Sequence, residues 1–194
     1  FVVIGPSHRG YMTCASAVPW ETPLGIVDVD TEFVDAMDIE IDEASHRSEH
    51  SIEVQMPIIK YRFPRARTVP VLMGEQSYEA AENLAGHLLQ AIEQTKRDVR
   101  IVASSDFSHY VPDDVARRHD LYAIEALNTL DIPEFYRRLQ ETRATVCGYG
   151  PIATMCIACQ SLGATRGELL RYTTSGDVTE DYNQVVGYAA IAVV

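Results

Sequence analysis

The sequence is poor in positive charge. Its 16 lysines and arginines are outnumbered by 28 aspartates and glutamates, which gives a formal net charge of −12. Nucleic acids and anionic membranes both bind through a basic protein face, so we expect neither as a partner. The chain also lacks an apolar run long enough to cross a bilayer, and no transmembrane segment is predicted.

Cysteine is scarce as well. The four cysteines, at positions 14, 147, 156 and 159, do not have the spacing of a disulfide-stapled secreted domain. We therefore expect reduced thiols and a cytoplasmic location. No basic segment precedes the apolar opening FVVI, so no signal peptide is predicted. Because the sequence also lacks an initial methionine, we interpret Phe1 as a cut edge.

The pattern that is present indicates an α/β fold. Residues 67–74 form a β-branched run that ends in glycine, and residues 99–109 have the pattern of a buried strand followed by a polar turn. Between them, residues 77–95 have the periodicity of an amphipathic helix, with Ser77 as the predicted N-cap. Strand, helix and strand at this spacing predict a βαβ unit with two parallel strands.

The rest of the chain is predicted to continue with helices and strands. Further helices are expected at 112–130, 131–142 and 150–164, and final strands at 168–177 and 185–194. Gly163 is expected to end the third of these helices, and Gly187 to mark a bulge in the last strand. No repeat or linker interrupts the pattern. The predicted fold is one α/β domain over residues 1–194, with a central, mostly parallel or mixed sheet and flanking helices.

Polar clusters follow several of the apolar runs, where open α/β sheets bind their ligands. His8 follows a Gly-Pro turn at the end of the first run, and Asp106 lies three residues before His109 in the segment SSDFSHY. A carboxylate can orient an imidazole and raise its basicity, as in a general base. The structural alternatives are a turn histidine at His8 and a helix N-cap at Asp106 with an unrelated His109.

The stretch HRSEHSIE, residues 46–53, matches the H-x-x-E-H pattern of inverted zinc proteases. On one helix, His46 and His50 would share a face and could hold Zn²⁺. The preceding stretch is acidic and aperiodic, however. We therefore expect a helix that begins near Ser48, leaves His46 outside and carries Glu49 in its first turn. This favours His50 and Glu49 as pocket-lining residues over a zinc protease.

Cys147 precedes Gly-Tyr-Gly-Pro at the start of an apolar helical stretch. A thiol near a helix N-terminus has a lowered pKa, which favours the thiolate needed for metal binding or nucleophilic attack. The alternative is a small buried residue in a tight turn. Cys156 and Cys159 form a C-x-x-C pair without a second such pair, so they are predicted to pack in the core.

Eight of these motifs occur in one order along essentially the whole chain: GPSHRG, WETPLG, EHSIEVQMP, PVLMGEQ, SSDFSHY, CGYGPI, SGD and VVGYAAI. In this the sequence resembles the Memo-like family, which in prokaryotes is also called AmmeMemoRadiSam system protein B. The resemblance implies the α/β fold of the class III extradiol dioxygenases, the LigB-like superfamily. Those enzymes hold a non-haem Fe(II) with two histidines and a carboxylate and insert O₂ into a catechol ring.

The resemblance also implies roles for single residues. His8, in the GPSH motif, is expected to be a metal ligand, and Cys147 a thiolate ligand that replaces the carboxylate of the dioxygenases. Asp106 and His109 match a catalytic pocket pair, with His109 at the position of the dioxygenase base. The family has a further upstream segment, with a Pro-His-Ala-Gly-like motif that supplies another histidine. Nothing in this chain matches it, so an N-terminal portion and one ligand are expected to be missing.

The expected ligands limit which metal ions are suitable as the cofactor. Imidazole and thiolate ligands suit iron, copper or zinc and disfavour Mg²⁺ and Ca²⁺, and no nucleotide cofactor is expected. The first functional hypothesis is a metal-dependent oxidoreductase that acts on O₂ or a small aromatic molecule. The alternative is an inactive module that binds a peptide or small ligand on a dioxygenase-like scaffold. The family's prokaryotic name implies a third role, in a pathway with a radical-SAM protein and an AMMECR-like protein.

Overall fold

The computed structural model describes residues 1–10 and 12–194. Its strands are β1 (Val2–Pro6), β2 (Cys14–Ala15), β3 (Trp20–Thr22), β4 (Gly25–Val27), β5 (Glu40–Ile41), β6 (Val69–Met73), β7 (Ile101–Ala103), β8 (His109–Val111), β9 (Gly167–Thr174) and β10 (Val185–Val193). Its helices are α1 (Thr31–Met37), α2 (Glu43–His46), α3 (Met56–Arg62), α4 (Tyr78–Thr95), α5 (Asp113–Leu127), α6 (Ile132–Thr142), α7 (Tyr149–Ser161) and α8 (Gly176–Thr179). A 3₁₀ turn covers Glu53–Gln55.

The chain divides into two compact units. The first comprises Phe1–Ser104 and Gly150–Met155, and the second comprises Ser105–Tyr149 and Cys156–Val194. The expectation of a single domain over residues 1–194 stays a prediction. No helix in the described part of the chain is both long and apolar enough to cross a membrane. None of the four cysteines forms a disulfide bond.

A mixed five-stranded sheet forms the centre of the first unit, in the order β5-β2-β6-β1-β7. Strand β1 lies between β6 and β7 and pairs with both in parallel, whereas β2 is antiparallel to β6. The predicted βαβ unit, β6-α4-β7, is therefore confirmed, and so is the α/β fold with a mixed central sheet and flanking helices. Every residue of β1 and β6 is buried, which explains why both segments read as apolar runs.

Helix α4 forms where its sequence predicts it. The Ser77 hydroxyl accepts a hydrogen bond from the Ala80 N–H at 3.2 Å and so satisfies one of the free donors of the first turn. The buried residues recur at three- and four-residue intervals and include Leu84 and Leu88. The helix ends at Lys96, which adopts a left-handed φ of 55°. One apolar face and two caps thus account for this helix.

The segment before His50 does not form the predicted helix. Helix α2 ends at His46, and no helix begins near Ser48. The reason is that the Glu49 carboxylate accepts hydrogen bonds from the N–H groups of its own neighbours, His50 and Ser51, at 2.8 and 3.0 Å. Such local side-chain bonds compete with helical backbone bonds. The prediction was therefore wrong on both counts, since His46 lies within a helix and Glu49 lies outside one.

The second unit contains an antiparallel sheet in the order β8-β10-β9. Helices α5 and α6 lie within the predicted ranges, and the Asp131 carboxylate caps α6 by accepting from the Glu134 N–H. The register of β10 shifts between Val185 and Val186 and again between Ala190 and Ile191, but not at Gly187.

Gly187 does not mark the predicted bulge; it allows the Asp120 and Tyr172 side chains to pack directly against the backbone of β10. A Cβ atom added there would lie 2.2 Å from an Asp120 carboxylate oxygen and 2.7 Å from the Tyr172 hydroxyl. Asp120 is fully buried and accepts hydrogen bonds from the hydroxyls of Tyr172 and Ser108, both at 2.6 Å. The absence of a side chain at Gly187 thus leaves room for the buried Asp120 carboxylate.

Replacing Gly187 by alanine is expected to destabilise the protein by about 1 to 3 kcal/mol, because the methyl group would collide with this carboxylate. The matched control is Gly86→Ala in α4, where an added Cβ meets no atom within 4 Å. There we expect a gain of up to about 1 kcal/mol from helix propensity. Urea denaturation measures both. Equal stability of the two variants would contradict this explanation of Gly187.

Candidate functional site

Two groups of potential metal ligands occur within the residues that the structure describes. In the first unit one ligand atom from each of His8, Glu49 and His50 lies within 4.8 Å of the others. In the second unit the same holds for Asp106, His109 and Cys147. All six residues singled out from the sequence belong to one of these two groups. That His8 and Cys147 share one centre stays a prediction.

Backbone packing positions the first group. Strand β1 ends at Pro6, whose carbonyl accepts a hydrogen bond from the Ser51 hydroxyl at 2.8 Å. A Cβ atom at Gly5 would lie 2.5 Å from that hydroxyl oxygen and 2.9 Å from an Ile52 side-chain carbon. Only glycine lets the turn at 49–52 pack this closely against the strand. The strand end carrying His8 is thereby joined to the turn carrying His50.

The Glu49 carboxylate is the centre of the first group. It accepts hydrogen bonds from the His8 N–H at 2.7 Å and from the N–H groups of His50 and Ser51, and it lies 2.9 Å from the His8 Nδ1. The side chain is only 2% exposed. Burial opposes ionisation, but the hydrogen bonds from His8 and Ser51 outweigh it and lower the pKa of Glu49 to about 2. The group is thus a buried carboxylate at neutral pH.

This carboxylate fixes the imidazole of His8. When Nδ1–H donates to a carboxylate, the lone pair is left on Nε2, the arrangement usual for metal-bound histidine. The His50 Nδ1 also lies 3.3 Å from Glu49, and the two imidazole rings stack with centroids 4.9 Å apart. The side chains of His8 and His50 are 38% and 70% exposed, so both can meet a metal ion from solvent. Glu49 orients these ligands, since its oxygens already accept four hydrogen bonds.

In the second group, Asp106 and Cys147 are joined by two hydrogen bonds. The Asp106 N–H donates to the Cys147 Sγ at 3.1 Å, and the Cys147 N–H donates to the Asp106 carbonyl at 3.1 Å. The Ser105 hydroxyl lies 3.9 Å from the same sulfur and accepts from the Gly148 N–H. These bonds hold the Cys147 sulfur, just before α7, beside the loop that carries Asp106.

The thiol does not have the lowered pKa predicted for it. Burial raises the pKa of Cys147 and the nearby Asp106 carboxylate adds to this, while hydrogen bonds from the Asp106 N–H and Ser105 only partly counteract them. Burial and the Asp106 carboxylate therefore outweigh the lowering of the pKa that was expected from the helix N-terminus. A bound cation would act in the opposite direction, because coordination deprotonates a thiol.

His109 is oriented by Thr145. Its Nδ1 lies 2.7 Å from the Thr145 carbonyl, which fixes Nδ1 as the donor, and its N–H donates to the Thr145 hydroxyl at 2.7 Å. The Asp106 carboxylate lies 3.8 Å from Nε2, which is beyond hydrogen-bond distance. A backbone carbonyl thus holds the ring where the sequence predicted a carboxylate, and Nε2 keeps its lone pair.

Two supporting residues were missed in the sequence. Thr145 carries no pattern that distinguishes it from other loop threonines. Asp120, which accepts from the Ser108 N–H and hydroxyl, has a signal: it is an acid on the apolar face of α5, near Ala116 and Ala123. Burial raises the pKa of Asp120, although hydrogen bonds from Ser108 and Tyr172 oppose this. It anchors the loop that leads into His109.

The H-x-x-E-H match does not form a shared helical face. Helix α2 ends at His46, and His50 lies in the turn that follows. His46 belongs to neither ligand group among the described residues, whereas Glu49 and His50 belong to the same one. The pattern therefore lacks the helix on which zinc coordination by both histidines depends.

Replacing Glu49 by glutamine is expected to lower the free energy of unfolding by about 2 to 3 kcal/mol at pH 7, because the amide cannot accept all four hydrogen bonds. A carboxyl group with a lowered pKa stabilises the fold above its unfolded pKa and loses this contribution as the pH falls toward 2. The deficit of the variant should therefore shrink in acid, as measured by urea denaturation of chelator-treated protein. The control, Glu53→Gln at an exposed carboxylate, should change stability by less than about 0.5 kcal/mol. A deficit independent of pH would contradict this account.

Comparison with known proteins identifies the family of this chain. The profile of the family described as Memo-like protein matches residues 1–192. A MEMO1 family protein of Methanosarcina barkeri is 45% identical over 199 residues, which cover all of this chain and 75% of the relative. Relatives of the same name from Archaeoglobus fulgidus and Methanothermobacter thermautotrophicus are 45% and 43% identical; each alignment covers 98% of this chain and 74% and 72% of the relative. The chain therefore belongs to the Memo-like protein family.

Proposed function

We propose that this protein binds a redox-active transition metal through histidine and cysteine ligands and serves a metal-dependent oxidoreductase reaction. The observation that carries the proposal is the buried Glu49 carboxylate on Nδ1 of His8, with His50 stacked beside it. A carboxylate on the far nitrogen raises the basicity of a ligating imidazole and fixes its orientation. Structural histidines need no such arrangement, and here both rings remain open to solvent.

The donor set favours iron or copper. Imidazole and thiolate are ligands for iron, copper and zinc, and of these only the first two supply redox chemistry when bound. His8 and His50 are the proposed imidazole ligands, so His50, predicted from the sequence to line the pocket, takes the place of the histidine expected to be missing. The resemblance to the family assigns Cys147 to the same centre as the thiolate, and this assignment is part of the proposal. Its raised pKa means that metal binding must displace a proton from the thiol.

His109 and Asp106 are the proposed acid–base pair. Because the Thr145 carbonyl holds the Nδ1 proton, the Nε2 of His109 can accept a proton from a substrate hydroxyl. The imidazolium formed would lie within 3.8 Å of the Asp106 carboxylate, which stabilises the positive charge. The pair thus fits proton removal from an aromatic hydroxyl, the step expected of a base at this family position.

The setting that we propose is the reducing cytoplasm. None of the four cysteines is in a disulfide bond, and a thiolate ligand oxidises readily where thiols are not kept reduced. A small molecule or peptide is the proposed ligand, and the family's prokaryotic name adds a radical-SAM protein and an AMMECR-like protein as pathway partners.

Metal binding is tested by loading the chain anaerobically with Fe(II), Cu(I) and Zn(II) separately and measuring affinity and metal content. We expect iron or copper to be retained, and His8→Ala, His50→Ala and Cys147→Ser each to lose it. Glu49→Gln should weaken binding by roughly 10- to 100-fold, the usual effect of removing a group that orients a ligand.

The matched controls are His87→Ala in α4 and Cys159→Ser in α7, since neither residue belongs to a ligand group. Both should keep the metal. Retention of equal metal by His8→Ala and His87→Ala, or no retained iron or copper in the unmodified chain, would contradict the proposal. Loss in His8→Ala but not in Cys147→Ser would remove the thiolate from the centre.

The redox role is tested separately by oxygen uptake of the iron-loaded protein with catechol as the probe substrate. His109→Ala should lower the rate by at least about 100-fold with unchanged metal content, because a general base contributes that much. His119→Ala in α5 is the control. Stoichiometric metal without any oxygen uptake would instead favour the binding module without turnover.

A further inference from the structure

A tyrosine beside His109 has a backbone conformation that its residue type rarely adopts. Tyr110 has a φ of 57°, in the left-handed region that glycine enters freely and that is strained for a bulky residue. Among the residues that the structure describes, it is the only non-glycine strand residue with this conformation. The others with a positive φ lie at helix ends or in the turn before α6, where it is common: Asp38, Lys96, Leu130, Arg143 and Glu180.

This conformation belongs to a β-bulge. Two successive residues of β10, Val185 and Val186, pair with Val111 and His109. Tyr110 is therefore the extra residue of β8. Bulges turn a side chain in a new direction and often lie next to active sites. The Tyr110 ring is 72% exposed, and its centroid lies 5.9 Å from that of the His109 ring. An exposed ring gains little from burial, so core packing does not explain a bulky residue at this strained position.

A second tyrosine lies on the face of the sheet that carries His109. Val186 is opposite His109, and Tyr188 follows two positions later in β10, so these side chains share one face, whereas the glycine between them faces the interior. Tyr188 is 40% exposed. Its partial burial raises the pKa of the phenol, and the charged forms of Asp106 and Tyr110 raise it further, which indicates that the two tyrosines are neighbours.

His109 supplies a hydrogen-bond acceptor beside these rings. Its Nδ1 donates to the Thr145 carbonyl, so Nε2 keeps the lone pair. A phenol matches both parts of this surface, because its flat ring packs against tyrosine rings and its acidic hydroxyl donates to Nε2. Aromatic pairs attract each other by more than the area they bury, whereas a saturated ring offers only its area and its hydroxyl.

We propose that Tyr110 and Tyr188 bind the ring of an aromatic alcohol whose hydroxyl donates to Nε2 of His109. The two tyrosines thereby determine the substrate class, since they select an aromatic over a saturated alcohol. The bulge serves this selection by holding the Tyr110 ring beside the base. The inference rests on the proposed function for the proton transfer that follows, but the binding of the ring needs neither a metal nor turnover.

Binding is measured by fluorine NMR of 4-fluorophenol, which is titrated with the chelator-treated whole chain. The probe is uncharged at neutral pH. We expect a saturable change in its resonance, and about tenfold weaker binding of 4-fluorocyclohexanol, which keeps the hydroxyl and the fluorine but has no aromatic ring.

Tyr110→Gly separates a binding role from a structural one. Glycine adopts the left-handed backbone without strain, so the melting temperature should stay about the same. The affinity for the phenol should fall roughly 2- to 12-fold, the contribution of one aromatic pair. Tyr188→Leu should have a similar effect, whereas Tyr110→Phe and Tyr188→Phe keep the rings and should bind as the unmodified chain does. The matched control is Tyr61→Ala in α3, since Tyr61 is also highly exposed and lies in the first unit.

The proposal is overturned if 4-fluorophenol gives no saturable response, if the saturated alcohol binds equally, or if Tyr110→Gly and Tyr188→Leu both bind unchanged. Oxygen uptake by iron-loaded protein separates this failure from that of the proposed function. With catechol, Tyr110→Gly should raise KM and leave kcat nearly unchanged, whereas His109→Ala should lower kcat. Weakened phenol binding in the tyrosine variants without oxygen uptake by the unmodified chain would uphold the ring site and contradict the oxidoreductase. Oxygen uptake with an unchanged KM in both tyrosine variants would do the reverse.

Discussion

The first unit depends on how it satisfies one buried carboxylate. Removing Glu49 from water is costly unless its oxygens receive hydrogen bonds, and the structure supplies four, three of them from backbone N–H groups. Backbone donors cannot rotate away as side chains can. The charge is therefore held in one place, and the end of β1 is joined to the turn at residues 49–52. Gly5 makes the close packing of these two segments possible.

The second unit orients its imidazole in a different way, and the difference matches the proposed roles. His8 has a carboxylate behind it, which fixes the orientation of the ring and suits a ligand that must hold a cation. His109 has a neutral backbone carbonyl behind it, which fixes the tautomer without adding charge and suits a group that accepts and returns a proton. Asp120, buried beneath Ser108, holds the loop before His109 in place.

The sequence predicted those features that depend on local pattern. The apolar runs of β1 and β6 and the capped, periodic α4 need only their own residues, and all three form. The turn at 49–52 could not be predicted, because the Glu49 carboxylate that bonds locally to His50 and Ser51 is also held by His8, 41 residues away. The prediction of a lowered pKa for Cys147 was wrong for the same reason. The nearby helix start is visible in the sequence, whereas burial of the thiol and its approach to the Asp106 carboxylate arise only in the tertiary structure. His8, Asp106 and His109 were found because they are chemically reactive residues that directly follow apolar runs, but Thr145 is an ordinary loop residue.

His46 and His50 show how one glutamate separates two similar residues. They lie four apart and would share a face on a helix, but Glu49 bonds to His8 and to the N–H of His50, and the helix stops at His46. One histidine is then exposed beside the ligand group, and the other is buried in a cavity wall without a partner. Glu49 holds His8 and also lies beside His46, so replacing it must disturb the surroundings of both histidines.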